Sequence, residues 1–162
     1  MLSKSDMIQG CSTFIHVGQI HVDVSPAAIS TVLGSCVAVC LYDASRGIGG
    51  MNHYLLPFWN GNGLQSPKFG NISIPKLIEL MMAHGSSAKT MVAKIFGGAS
   101  MNIGGSQAMM IGEKNVLVAR EVLKEFRIPI VAEDIGGQNG RKIQFNLERG
   151  KVLMKYATRS EF

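Results

Sequence analysis

Gly34-Ser35-Cys36-Val37-Ala38-Val39-Cys40-Leu41-Tyr42, then Asp43-Ala44-Ser45-Arg46-Gly47, then Ile48-Gly49-Gly50-Met51-Asn52-His53-Tyr54-Leu55-Leu56 is the stretch on which the fold turns. Its first part is apolar and rich in β-branched residues, its last part is mostly apolar, and the five residues between them have turn composition. The stretch therefore reads as a β-hairpin. With the turn centred between Ala44 and Ser45, opposed residues have numbers summing to 89, which places Cys36 opposite His53. Directly opposed residues share a face with Cβ atoms about 5 Å apart, the reach a thiol and an imidazole need to share a proton. The alternative is that Cys36 and Cys40 are ordinary buried strand residues, cysteine being among the most buried types.

Working outward, Phe14 to Val24 alternates enough for an opening strand that ends at Ser25-Pro26, and Ile29 to Leu33 fits a short strand or turn. Pro57 to Asn71 is rich in Pro, Gly, Asn and Ser and reads as a surface loop. Ile74, Leu77, Ile78, Met81 and Met82 have helical spacing, with Ser73 as cap, Pro75 in the first turn and Gly85 as stop. Thr90 to Phe96 reads as a strand entering the glycine-rich loop Gly97 to Gly105. A second helix is marked by Val116, Ala119, Val122, Leu123 and Phe126. Ile128 to Ile135 is a further strand, and Lys142 to Leu147 with Lys151 to Met154 form a closing hairpin around Glu148-Arg149-Gly150. Two helices against six or so strands, several in hairpins, predict a mixed α+β (α/β) fold with a mixed or antiparallel sheet rather than a doubly wound one.

Length and composition bound the rest. A chain of 162 residues, 46% hydrophobic, suffices for one core, so a single domain over residues 1–162 is expected. The longest clean apolar run, Val37 to Tyr42, is far short of the roughly 18 residues of a membrane span. Ile8-Gln9-Gly10-Cys11 resembles a lipoprotein cleavage site only faintly, because Lys4 and Asp6 interrupt the region that would have to be apolar. Three cysteines and ten methionines suit a reducing cytoplasm better than a disulfide framework. A scattered net charge of +5 argues weakly for nucleic acid and is compatible with an acidic protein partner.

The chemistry narrows similarly. Gly34-Ser35 before the thiol allows a substrate close approach, and turn amides there would receive an oxyanion. A metal site from Cys36, Cys40 and His53 lacks a fourth ligand and a zinc-type spacing. Gly97 to Gly105 has neither phosphate-loop nor dinucleotide spacing, leaving a flexible connection or a wall of the site as its two readings. His16, His21 and His84 have no comparable setting.

Thr31 to Cys40, His53 seventeen residues after Cys36, Ala93-Lys94-Ile95-Phe96-Gly97-Gly98-Ala99, Ile111-Gly112-Glu113-Lys114-Asn115 and Asp134-Ile135-Gly136-Gly137 together resemble the chemoreceptor glutamine deamidase family, CheD. The resemblance runs through nearly the whole chain in order. It implies a sandwich similar to that of cytotoxic-necrotizing-factor-like cysteine deamidases. The implied reaction is hydrolysis of glutamine side chains on the cytoplasmic helices of chemotaxis receptors to glutamate and ammonia, a step in chemotaxis adaptation. By the same resemblance Cys36 is the nucleophile and His53 its base, with no metal or organic cofactor required. A threonine hydroxyl upstream of the cysteine completes the family's set. Here Ser30 stands six residues before Cys36 and Thr31 five before, and both remain open as the third member. Gly34 and Ser35 are the expected oxyanion and substrate-binding positions. Gly49-Gly50 and the Pro57 to Asn71 loop are read as room for a receptor helix. The family also resembles proteins that bind a CheC-type chemotaxis phosphatase, so the alternative is a non-catalytic adaptor.

Overall fold

The computed structural model describes residues 12–100 and 106–157. Its elements run β1 (Ser12–Phe14), β2 (Ile20–Val24), β3 (Ala28–Leu33), β4 (Val37–Asp43), β5 (Ile48–Asn52), α1 (Gly70–Ala83), β6 (Val92–Gly97), α2 (Ser106–Glu125), β7 (Ile130–Ile135), β8 (Arg141–Asn146) and β9 (Lys151–Tyr156). The strands form two sheets, one ordered β1-β3-β8-β9 and the other β2-β5-β4-β6-β7. Both are mixed, since β1 runs parallel to β3 and β7 parallel to β6 while the remaining pairs are antiparallel. The expected α+β sandwich is therefore present.

The layering follows from β4. Val37, Ala38, Val39, Cys40 and Leu41 are all buried, as a central strand covered on both faces requires. Val37, Val39 and Leu41 pack with Ile74, Leu77, Ile78 and Met81 of α1 and Val116, Ala119, Val122 and Leu123 of α2. Cys36, Ala38 and Cys40 pack on the other side with Ile29 and Leu33 of β3 and Ile143 and Phe145 of β8. The order is sheet, sheet, helices, with the five-stranded sheet in the middle.

Several local expectations shift. The opening strand is two strands in different sheets, β1 and β2, separated at Gly18, where φ is +84°. Helix α1 begins at Gly70, so Ser73 does not cap it; its buried hydroxyl instead accepts a hydrogen bond from Asn52. Met82 and Phe126, each part of the apolar spacing that marks a helix in the sequence, are exposed. Gly49 and Gly50 leave no room for a receptor helix. A Cβ at Gly49 would lie 2.4 Å from Leu147, and one at Gly50 2.7 Å from Val22 and 2.9 Å from Leu77. They are glycines because β5 is squeezed between the four-stranded sheet and α1.

The hairpin is real, and its register differs from expectation. Cys40 pairs with Met51 and Asp43 with Ile48, so opposed numbers sum to 91 and His53 faces Ala38 rather than Cys36. The turn sits one residue later because Asp43 is buried and organises it. Its carboxylate accepts from the Ser45 amide and hydroxyl, from the Ser86 hydroxyl and from the Thr90 hydroxyl, and Gly47 supplies the left-handed conformation that closes the loop. A two-unit change in the sum preserves parity. Cys36 and His53 stay on one face as diagonal neighbours, spaced about 7–8 Å along the backbone and within side-chain reach.

Candidate functional site

The site forms where the hairpin's open end meets the four-stranded sheet. Cys36 and His53 both point into the space between the sheets, and β3 brings Thr31 to the same place from the opposite side. Thr31 is fully buried; Ser30, its neighbour, lies on the other face of β3, paired with Gln144, and is not brought to the imidazole. The Thr31 hydroxyl oxygen is 2.7 Å from Nδ1 of His53 and 2.8 Å from the carbonyl oxygen of Ile15.

Those two distances determine the imidazole's protonation. A hydroxyl has one proton and the Ile15 carbonyl can only accept, so Thr31 donates to Ile15 and must accept from His53. His53 is then the Nδ1–H tautomer, and Nε2 carries a bare lone pair. Consistently, Nε2 is buried with no hydrogen-bond partner, the Cys36 sulfur included. The Gly18 amide holds the His53 carbonyl at 2.8 Å, and paired Val37–Tyr54 hydrogen bonds continue the β4–β5 register past the end of β5.

Burial governs both titrations. It pushes the His53 imidazole down to about 4, with a smaller contribution from nearby His16, and pushes the Cys36 thiol up to about 11 against the opposing hydrogen bond from its own amide. At neutral pH the pair is thiol and imidazole, both uncharged. Because the group facing Nδ1 is the Thr31 hydroxyl and not a carboxylate, no negative charge there stabilises an imidazolium.

The Gly34-Ser35-Cys36 turn is held by its carbonyls. Ala99 N–H donates to Gly34 O at 3.0 Å, the Asn115 side-chain amide to Ser35 O at 3.0 Å and Gly98 N–H to Cys36 O at 2.9 Å. No acceptor among the described residues outside the turn itself takes the amides of Ser35 and Cys36. Carbonyls clamped on one side, with the Ser35 and Cys36 amides bonded to nothing beyond Cys36's own thiol, is the arrangement an oxyanion site needs. The start of the glycine-rich loop is thus a wall pressed on the thiol's backbone. A Cβ at Gly97 would fall 2.2 Å from Cys36 O, and φ there is +110°, so only glycine fits. Residues 101–105 of that loop, and Cys11, lie outside the described residues.

Among the described residues no cluster of three or more His, Cys, Asp or Glu side chains could hold a metal ion, and no helix is long and apolar enough to cross a membrane. Sequence reasoning missed the roles of Asn52, whose side chain accepts from the Val39 amide at 2.7 Å, and of Asn115. Both are buried asparagines, and a buried carboxamide always needs partners.

A family model described as CheD chemotactic sensory transduction matches residues 55–156. The chain belongs to the CheD family. It is 56% identical over 150 residues to a protein of Sulfurimonas denitrificans named "Probable chemoreceptor glutamine deamidase CheD", covering 92% of this chain and 96% of that one. A protein of Trichlorobacter lovleyi with the same name is 50% identical, with 87% and 88% covered. Among solved structures, the hypothetical protein YfiH of Bacillus licheniformis is 18% identical with a TM-score of 0.48, over 70% of this chain and 49% of that chain. The family match begins two residues past His53. Cys36 and His53 fall within the longer span shared with the Sulfurimonas CheD, which leaves out only about a dozen of this chain's residues.

Proposed function

We propose that this chain is a protein-glutamine deamidase, a cysteine amidohydrolase that converts glutamine side chains on the cytoplasmic helices of chemotaxis receptors to glutamate and thereby adjusts adaptation. The names of its CheD relatives supply the substrate class. The observation that supports the chemistry is the bare, buried Nε2 of His53 on the same face as Cys36, with Thr31 holding the opposite nitrogen protonated.

The mechanism follows from uncharged partners. As the Cys36 sulfur attacks the carboxamide carbon, its proton passes to His53 Nε2, so no free thiolate has to be maintained in a buried site. The developing oxyanion is received by the Ser35 and Cys36 amides. Nε2–H then protonates the amide nitrogen, ammonia leaves, and a thioester remains. Water gives a proton to Nε2 and attacks the thioester carbon; collapse returns that proton to sulfur and releases the glutamate side chain. Nδ1–H stays on Thr31 throughout, so one nitrogen is always the proton carrier. The reaction takes place in the cytoplasm, where receptor helices are presented.

The test is mass spectrometry of a receptor cytoplasmic fragment incubated with the protein or with Cys36→Ala. Conversion of an amide to an acid adds about 1 Da through the nucleophilic route. A gain seen only with the unmodified protein supports the proposal and identifies the glutamines. A gain with Cys36→Ala, or none with either across a panel of receptor fragments, overturns it.

A further inference from the structure

The β4–β5 ladder stops at the Val37–Tyr54 pair, and what takes over there is a side chain of α2. In a continued antiparallel ladder the Ser35 carbonyl would accept from the Leu56 amide. Leu56 N–H instead donates to Lys68 O, as does Leu55 N–H, because the chain after His53 swings away toward the start of α1. Ser35 O is thereby left without its strand partner, and Leu55 O, at a non-hydrogen-bonded position of the ladder, has none on β4. The Asn115 carboxamide nitrogen supplies both, donating to Ser35 O and to Leu55 O at 3.0 Å each. The backbone carbonyl of Asn115 accepts the Tyr54 hydroxyl, so the same residue grips the residue after His53 as well. One helical turn earlier, a Cβ at Gly112 would lie 2.5 Å from Gly98 O, so α2 also backs the loop that holds the Cys36 carbonyl. Asn115 is fully buried and its Oδ1 has no partner, a cost that both donor contacts must offset.

We propose that Asn115 is a positioning residue for the reaction: its carboxamide replaces the missing end of the ladder and sets the separation of the chain segments that carry Cys36 and His53. This rests on the deamidase reading of those two residues. The residue before the nucleophile and the residue two beyond the base are tied to a single nitrogen atom. Movement of either segment has to break a buried hydrogen bond, which is how a group that touches neither substrate nor reacting atoms controls their alignment.

The inference predicts a particular pattern in Asn115→Ala and in Asn115→Ser, which keeps one donor. Turnover of a receptor fragment falls about tenfold or more in kcat for Asn115→Ala, less for Asn115→Ser, with KM little changed, since misplacement by a fraction of an ångström acts on the chemical step. Site-resolved alkylation with iodoacetamide across pH 7 to 11 gives a readout that needs no receptor. Loosening the Ser35 anchor admits water to the thiol, so Cys36 alkylates faster and its profile moves down toward the ordinary thiol range of about 8.5. Cys40, fully buried in β4, stays unreactive. An unchanged Cys36 profile overturns the inference, and so does a parallel rise at Cys36 and Cys40, which marks a purely structural loss. If Asn115→Ala fails to fold, Asn115→Ser decides by the same two profiles. Absence of receptor turnover in the unmodified protein would count against the deamidase reading alone, leaving the alkylation comparison to judge Asn115.

Discussion

The β4–β5 hairpin carries a buried polar cluster at each end, and the two are finished differently. At the turn end the Asp43 carboxylate receives four donors, from Ser45 twice and from Ser86 and Thr90. Burial alone would raise its pKa, but these hydrogen bonds outweigh it and hold the group down at about 2. At the open end, His53 Nε2 and Asn115 Oδ1 have no partner, and burial drives His53 and Cys36 toward their neutral forms. The lesson is that a closed network stabilises a charge and specifies a turn, whereas an unfinished one leaves a lone pair available for chemistry.

The sharpest attempt to break this contrast removes the unfinished end. His53→Ala should lower deamidation by about 10²–10⁴-fold, the usual contribution of a general base, with the circular dichroism spectrum retained. A smaller loss in steady-state turnover would mean that Nε2 is not the proton carrier.

Stability against pH separates the ends next. His53 is neutral in the folded protein down to about 4 but would protonate near 6.5 when unfolded, so the unfolded state binds the extra proton and stability falls as pH drops from about 6.5 to 4. The shift corresponds to about 3 kcal/mol. Denaturant titrations of the protein and of His53→Gln should differ in that window.

Thr31→Val takes away the acceptor of Nδ1–H. At about 1–3 kcal/mol for a buried hydrogen bond, deamidation should slow by about 5–150-fold, and Thr31→Ser should restore much of it. Nitrogen-15 shifts of His53 would show whether the Nδ1–H tautomer is lost.

Asp43 acts in a lower window. Its carboxylate is favoured in the folded state, so its contribution of about 2 kcal/mol is present above about 3.8 and lost as pH falls toward 2. Asp43→Asn should flatten that part of the stability curve and leave the activity of the folded fraction intact. Smallest of all, Ser86→Ala should cost about 1 kcal/mol in thermal unfolding, with no change in turnover.

Much of this was legible in residue order. Alternation, turn composition and helical spacing located the hairpins and both helices, because strand and helix periods depend on neighbours within a few positions. The thiol and imidazole were visible as a pair because hairpin parity survives a shift of two. Their true register was not, since it depends on Asp43 finding Ser86 and Thr90 more than forty residues away. Which of Ser30 and Thr31 reaches the imidazole likewise depends on which face of β3 meets the central sheet.

By itself, then, the sequence determined a mixed α+β chain with a cysteine and a histidine on one face of one hairpin, and a chain of family motifs in order. Only the tertiary structure decided that Thr31 commits its proton to Ile15, that Gly97 to Ala99 closes on the Cys36 backbone, and that Asn115 bridges two chain segments eighty and sixty residues distant. The physical reason is that hydrogen bonds between segments far apart in sequence leave no periodic trace. They are dictated by which buried polar groups packing leaves without a partner.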